Sequence, residues 1–305
     1  MREIIIDIET NMGASHIWCA VTKDLSTQEV KVWTEAEKLQ GFLAKESTII
    51  GHNVIGFDAP VLKKHWNIQL DNHQIKDTLV MSRLLKPTIE NGHSLRAWGQ
   101  RLGKNKDDFK DFDGGLTSEM VRYCKQDVEV TATLYKRLTN DLLGWGKSVD
   151  LEHRVALIVK QQEDTGFKLN VRQAMSLLVG WKNRINEIQC ELQQVFKPIV
   201  SVRFSEKTGK KLKDKTEVFN PASRKQIAER LMALGWQPTK HTEKGSVIVD
   251  EGTLQTIDIP QAKLIAEYLL VQKRVAQVES WIDHADHSDR VHCKVITNGA
   301  VTGRM

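Results

Sequence analysis

The first half of the chain alternates short β-branched runs with segments of helical period. Ile4–Ile8 is interrupted only at Asp7, which predicts a buried strand. His16–Val21 and Glu29–Thr34 predict two more strands. The short polar link between them makes the three an antiparallel meander. Helical spacing then predicts a helix over Glu35–Lys45, a strand over Thr48–Gly51 and a helix over Asp58–Trp66, while Asp77–Leu85 mixes both signals. Ser94–Leu102 predicts a helix stopped at Gly103, a residue free to take the left-handed cap conformation. A long period over Thr117–Leu143 predicts a long helix with Thr117 or Ser118 as its cap.

The pattern changes near Gly144–Val149 and is mostly helical beyond it. Leu151–Glu163, Arg172–Phe196, Arg224–Leu234 and Ile259–His284 all repeat at helical spacing, and a seam between the first and last of these is expected. Ile199–Val218 alternates around a Thr208-Gly209 turn and is rich in lysine, which predicts a short basic hairpin or loop. The expected fold class is therefore α/β, a mixed sheet flanked by helices over residues 1–145, followed by a mostly α-helical domain over 146–305.

Length and composition agree with two folded domains. The chain has 305 residues, 40% hydrophobic and 27% charged, which suits globular domains of about 100–200 residues each and argues against disorder. A net charge of +5 fits a polyanionic partner without deciding for one. The four cysteines, Cys19, Cys124, Cys190 and Cys293, are scattered with no C-x-x-C pair and are read as reduced thiols of a cytosolic protein. The charged N-terminus leads straight into a strand and is no signal peptide. No apolar run approaches the ~20 residues that span a membrane.

Three acidic segments carry the candidate chemistry. Asp7 and Glu9 lie two apart on the first strand, so both project to one face. Two carboxylates on a buried face repel each other unless a divalent cation such as Mg²⁺ or Mn²⁺ neutralises them; a strand end open to water is the ordinary alternative. His52-Asn53-Val54-Ile55-Gly56-Phe57-Asp58 follows an apolar strand and opens a helix, where Asp58 has a simple reading as a cap or dipole partner. Tyr123 and Asp127 lie four apart on the long helix and face the same way; a solvated pair is the alternative there. A separate group, Asp283, His284, Asp286 and His287 with His292 and Cys293, has Zn²⁺-type residues at spacings that fit no standard template.

Taken in order, Asp-x-Glu, Asn-x-x-x-Phe-Asp and Tyr-x-x-x-Asp resemble the three motifs of the DnaQ-like (DEDD) exonucleases, in the variant with a tyrosine in the last motif. The likeness covers about residues 1–143. It continues through Leu151-Glu152-His153-Arg154, Thr165-Gly166-Phe167, Phe219-Asn220-Pro221-Ala222-Ser223, Leu234-Gly235-Trp236 and Tyr268–Arg274 to Thr302-Gly303-Arg304. These segments look like the thumb region of family A DNA polymerases, nearest to replicative polymerases of short-tailed phages.

The resemblance implies an RNase H-like exonuclease domain and 3′→5′ proofreading of DNA. It implies two Mg²⁺ or Mn²⁺ ions. Positions matching Asp7, Glu9 and Asp127 hold one ion. Asp7 also bridges to the second, and Asp58 supports that ion through water. Tyr123 orients the attacking water, since an unperturbed phenol ionises only near ~10. Thr10, His52, Asn53 and Phe57 line the terminal nucleotide, although Phe57 also reads as a core residue. Arg304 contacts DNA near the primer terminus. The implied partners are a single-stranded 3′ end, primer–template duplex, and the palm and fingers, since the sequence stops at Met305 before the polymerase aspartates. The implied setting is the cytoplasm of an infected bacterium.

Residues 197–218 are too few for the thioredoxin-binding insertion of the best-known phage relative, so no such dependence is expected. Arg203, Lys207, Lys210, Lys211, Lys213 and Lys215, offset by Glu206, Asp214 and Glu217, suit contact with a duplex backbone or form a solvated surface. Rival readings are a non-catalytic DNA-binding or assembly subunit and a stand-alone trimming exonuclease. The five matched positions argue against the first and the thumb-like second half against the other.

Overall fold

The computed structural model describes residues 2–70, 74–104, 108–204 and 209–304. Glu206, Lys207, Thr208 and the terminal Met305 lie outside them. Two compact units emerge, Met1–Thr165 with Cys293–Met305, and Gly166–His292.

The first unit is built on a five-stranded sheet in the order β3-β2-β1-β4-β5. β1 (Arg2–Thr10), β2 (Ile17–Asp24) and β3 (Val30–Trp33) form the expected meander, and β4 (Ser47–Gly51) and β5 (Gln74–Asp77) run parallel to β1. Parallel strands need crossovers, supplied by α1 (Ala36–Leu43) and α2 (Asp58–Trp66). Asp77–Leu85, ambiguous in sequence, divides at once: β5 ends at Asp77 and α3 (Thr78–Leu85) begins, with the Asp77 carboxylate accepting the Leu79 N–H at 2.9 Å as its cap. α4 (Leu95–Arg101) is capped by Ser94, and α5 (Ser118–Asp141) by Thr117.

The two faces of β1 meet different partners. Ile4, Ile6 and Ile8 pack with Leu39, Leu43, Val61 and Leu62 of α1 and α2. Ile5 on the other face joins Cys19, Val21, Ile50 and the α5 residues Cys124 and Val128. Strand alternation therefore turns Asp7 and Glu9 toward α5. The sequence change near residue 145 falls between α5 and α6 (Gly146–Thr165), and α6 belongs to the first compact unit.

The second unit pairs α7 (Val171–Val195) with α10 (Pro260–Asp283). The seam of α10 within this unit runs along α7. Ala174 and Leu178 meet Val271, Val275 and Val278, while Ile188 and Leu192 meet Ala262 and Ile265. A bidentate Arg184–Glu267 pair, at 2.8 and 3.0 Å, spans the same two helices. β6 (Phe167–Lys168) pairs with β9 (Arg290–Val291), and α8 (Arg224–Ala233) and α9 (Glu251–Thr256) complete the unit. Ile199–Val218 forms the hairpin β7 (Ile199–Phe204) and β8 (Lys211–Glu217), with every residue of β7 exposed.

Candidate active site

The acidic residues of the three motifs come from β1, the start of α2 and the middle of α5. Past Ile5, β1 outruns its ladder with β4. The freed Ile8 N–H donates instead to Asp58 Oδ1 at 3.2 Å, which ties the second motif to the first. Gly51 makes the approach possible: a Cβ there would lie 2.7 Å from Val54 Cβ and 3.3 Å from the Ile6 carbonyl. The chain then turns through Asn53 at φ 66°, a left-handed value that asparagine tolerates better than most residues. A Cβ at Gly56 would come within 2.5 Å of Asn53 Oδ1.

Glu9, Asp58 and Asp127 are all buried, and Asp7 is half-buried. Burial, together with the nearby charges of Asp77 and Asp127, pushes the Asp58 carboxyl up to about 7. Asp58 and Asp127 are thus close enough to repel. Asp7 and Glu9 bring one oxygen each to within 4.8 Å of the Cys124 sulfur and of each other. Crowded carboxylates of this kind fit a divalent cation, which would offset the burial and the repulsion that together raise the Asp58 carboxyl.

The remaining expected residues divide by position. Tyr123 is buried, with ring centroids 5.7 Å from Phe109 and 6.2 Å from Phe112. The loop carrying those phenylalanines is pinned to the sheet by Trp18, whose indole N–H donates to the Phe112 carbonyl at 2.8 Å, and by the Met12 N–H to Asp113 Oδ1 at 3.0 Å. Thr10 is buried, and its hydroxyl donates to the Asn11 carbonyl at 3.0 Å. His52 Nδ1 lies 2.9 Å from Thr78 Oγ1. Asn53 is exposed, and Phe57, at 38% exposure, is no core residue. Arg304 makes a local bond, its Nε donating to Thr302 Oγ1 at 3.0 Å, and does not join the acidic cluster through it.

In the Asp283–Cys293 segment, Asp286 accepts from the Ser288 and Arg290 amides and lies 3.2 Å from His292 Nε2, while His284 Nδ1 meets the Ser280 carbonyl at 2.8 Å. These are turn and helix-end contacts.

Residues 1–143 match the family model described as 3′–5′ exonuclease, that of family A DNA polymerases. Over these residues the chain is similar to the 3′–5′ exonuclease domain of family A polymerases. The exonuclease domain and the residues after it resemble the DNA-directed DNA polymerases of Escherichia phage T7 and Enterobacteria phage T3. Each is 28% identical, over 99% of this chain and 61% of the relative. The chain thus spans about three fifths of the length of these relatives. Among solved structures, the POL domain of Pol1 from M. smegmatis, in complex with DNA primer-template and dNTP, matches with a TM-score of 0.71 at 13% identity, over 99% of this chain and 50% of that one.

Four contributors to the exonuclease domain escape a reading of its sequence. Phe109 and Phe112 flank Tyr123 from a loop without periodicity. Cys124 lies inside the third motif but holds none of its matched positions; the available signal is that it stands three residues from Asp127 and so shares its side of α5. Asp77 opens a segment of mixed period and carries no motif. It is buried, and its carboxylate accepts from Asn53 N at 2.9 Å, Ile55 N at 3.1 Å and Leu79 N at 2.9 Å.

Proposed function

We propose that this chain is the proofreading exonuclease and thumb portion of a DNA-directed DNA polymerase, hydrolysing the 3′-terminal phosphodiester of DNA. The observation that supports this most is the convergence of Asp7, Glu9, Asp58 and Asp127 from three separate elements, within the matched region. These four hold the divalent cations, two Mg²⁺ or Mn²⁺ ions. Such ions, when bound, neutralise charge at phosphorus and on the leaving oxygen and make water a better nucleophile.

The chain's own residues supply the rest. Tyr123, stacked among Phe109 and Phe112, orients the attacking water through its hydroxyl. Asn53, held in its turn by Asp77, faces the terminal nucleotide with His52, Thr10 and the exposed ring of Phe57, which offers a surface for a frayed base to stack on. Arg304 serves the primer terminus when palm and fingers are present. Residues 146–305 act as the thumb. They meet primer–template duplex and lack a thioredoxin-binding module. In support, the match to the T7 polymerase runs over 428 residues, more than the 305 of this chain, so that relative carries segments this chain lacks. Among the described residues, no helix is long and apolar enough to cross a membrane. The phage relatives support action in the cytoplasm of an infected bacterium.

The deciding experiment incubates the chain with 5′-labelled single-stranded DNA in Mg²⁺ or EDTA, beside Asp7→Ala. The expected result is a Mg²⁺-dependent ladder shortening from the 3′ end and absent from the variant. Equal digestion by a clean preparation of Asp7→Ala would remove the acidic cluster from the reaction.

A further inference from the structure

A cavity of about 640 Å³ lies beside α5, apart from the acidic cluster. It is bounded by the later turns of α5, the start of β1 and the end of β2 with the turn that follows. Its residues on α5 begin at Glu129 and reach Asn140. Lys136 stands nine residues past Asp127, about 14 Å farther along the helix. Glu3 stands four residues before Asp7 on β1, about 13 Å away along the strand.

Both carboxylates in the wall are already engaged. Lys23 Nζ donates to the two oxygens of Glu129 at 2.6 and 2.7 Å, and the Tyr135 hydroxyl donates to Glu3 Oε1 at 2.8 Å. Lys23 is buried, so its ammonium is a fixed part of the wall. Burial and the Glu3 carboxylate push the Tyr135 phenol up, which keeps it a donor. Lys104 and Lys136 also line the cavity, and both are exposed. Among the described residues, neither has a carboxylate within ion-pair distance. Three lysines against two glutamates leave the space net positive. Its floor is apolar: Leu25, Ala132 and Tyr135 pack against the core that holds Val21 and Val128.

We propose that this cavity is a second, non-catalytic site for a nucleoside 5′-phosphate, with Lys104 and Lys136 on the phosphate and the planar base on the floor of Leu25, Ala132 and Tyr135. Its volume falls in the range of about 300–1,000 Å³ that small-molecule sites occupy, and a few convergent polar groups over apolar lining are their usual build. Two lysines without acid partners match one phosphate, whereas a strand needs a row of cations along its backbone. Half-buried Glu129 is placed to accept from a sugar hydroxyl. The choice of a nucleoside phosphate rests on the proposed hydrolysis, which releases one; the cavity itself owes nothing to the acidic cluster or its cations. The competing account makes Lys104 and Lys136 ordinary solvated surface.

The test is a calorimetric titration of deoxyadenosine 5′-monophosphate into the chain in EDTA, which removes any cation at the acidic cluster. The expected result is one equivalent bound, kept in Asp7→Ala. Affinity should weaken at least about tenfold in the double variant Lys104→Ala with Lys136→Ala, and recover when both are arginine instead. Inorganic phosphate alone should bind at least about tenfold more weakly than the nucleotide. Tm identifies variants that have folded. No binding by the parent, or unchanged binding in the folded double variant, overturns the site. Binding lost in Asp7→Ala puts the nucleotide at the acidic cluster and overturns it too. Phosphate bound as tightly as the nucleotide overturns the nucleoside assignment. Mg²⁺-supported digestion of DNA by the same parent protein is read separately. Digestion without nucleotide binding sinks the cavity and spares the exonuclease; binding without digestion does the reverse.

Discussion

Two buried carboxylates act in opposite senses on one short loop. Burial, with like charge nearby, pushes the Asp58 carboxyl up to about 7, a state that a bound cation would relieve. Asp77 accepts three backbone N–H groups and fixes the loop that presents Asn53 and Asp58. Leaving buried donors unsatisfied costs about 1–3 kcal/mol each. Asp77→Ala is therefore expected to destabilise the domain by at least about 2 kcal/mol, measured by urea unfolding, and to lower nuclease activity by displacing the loop. Asp7→Ala has the contrasting signature of abolished digestion with an unchanged Tm, read by the gel assay and calorimetry together. His153 supports Asp77 from below. Its Nε2 accepts the Asp77 N–H at 2.7 Å and its Nδ1 donates to the Val149 carbonyl at 2.7 Å, which fixes the neutral tautomer. Burial depresses its pKa below the ordinary 6.5. The unfolded chain then binds the extra proton first, so the stability from His153 is full above pH 6.5 and is lost as pH falls below it. Tm measured against pH should fall less steeply below 6.5 in His153→Gln than in the parent. Parallel curves would contradict this.

At the scale of elements, the site depends on α5 being held against two surfaces. Its Cys124 and Val128 meet the sheet, while Val130, Leu134 and Leu138 meet Met81 and Leu95 of α3 and α4. Leu134 is fully buried, and Leu134→Ala is expected to cost about 2–5 kcal/mol, read as a lower midpoint in denaturant. Most of these elements are legible in the sequence. The meander, the crossover helices and the capped α5 all follow from period and cap residues, because those signals are local. The α10 seam is not legible there. Several segments carry helical spacing, and nothing in a period names the partner of a helix.

For the whole molecule, the β7–β8 hairpin is an exposed basic feature. Arg203, Lys211, Lys213 and Lys215 line strands with little burial. If the hairpin tracks duplex DNA, replacing these four with glutamine should weaken primer–template binding and flatten its salt dependence, by about one unit of log–log slope for each phosphate no longer neutralised. Binding unchanged across a salt series would leave the hairpin as solvated surface. The unsubstituted chain, offered primer–template and Mg²⁺, is expected to shorten primers from the 3′ end.

The sequence by itself determined the order and type of the main elements, the shared face of Asp7 and Glu9 and the shared face of Tyr123 and Asp127. Each is a consequence of a fixed strand or helix period acting over a few residues. Only the tertiary structure decided that Asp58 bonds the Ile8 amide, that Asp77 organises the loop between them, that Phe109 and Phe112 enclose Tyr123, and that the Cys124 sulfur reaches Asp7. The hydrogen bonds among these join residues from 22 to 117 positions apart. Their distances depend on strand register, on where β1 outruns β4 and on how α5 packs across the sheet, none of which a local pattern contains.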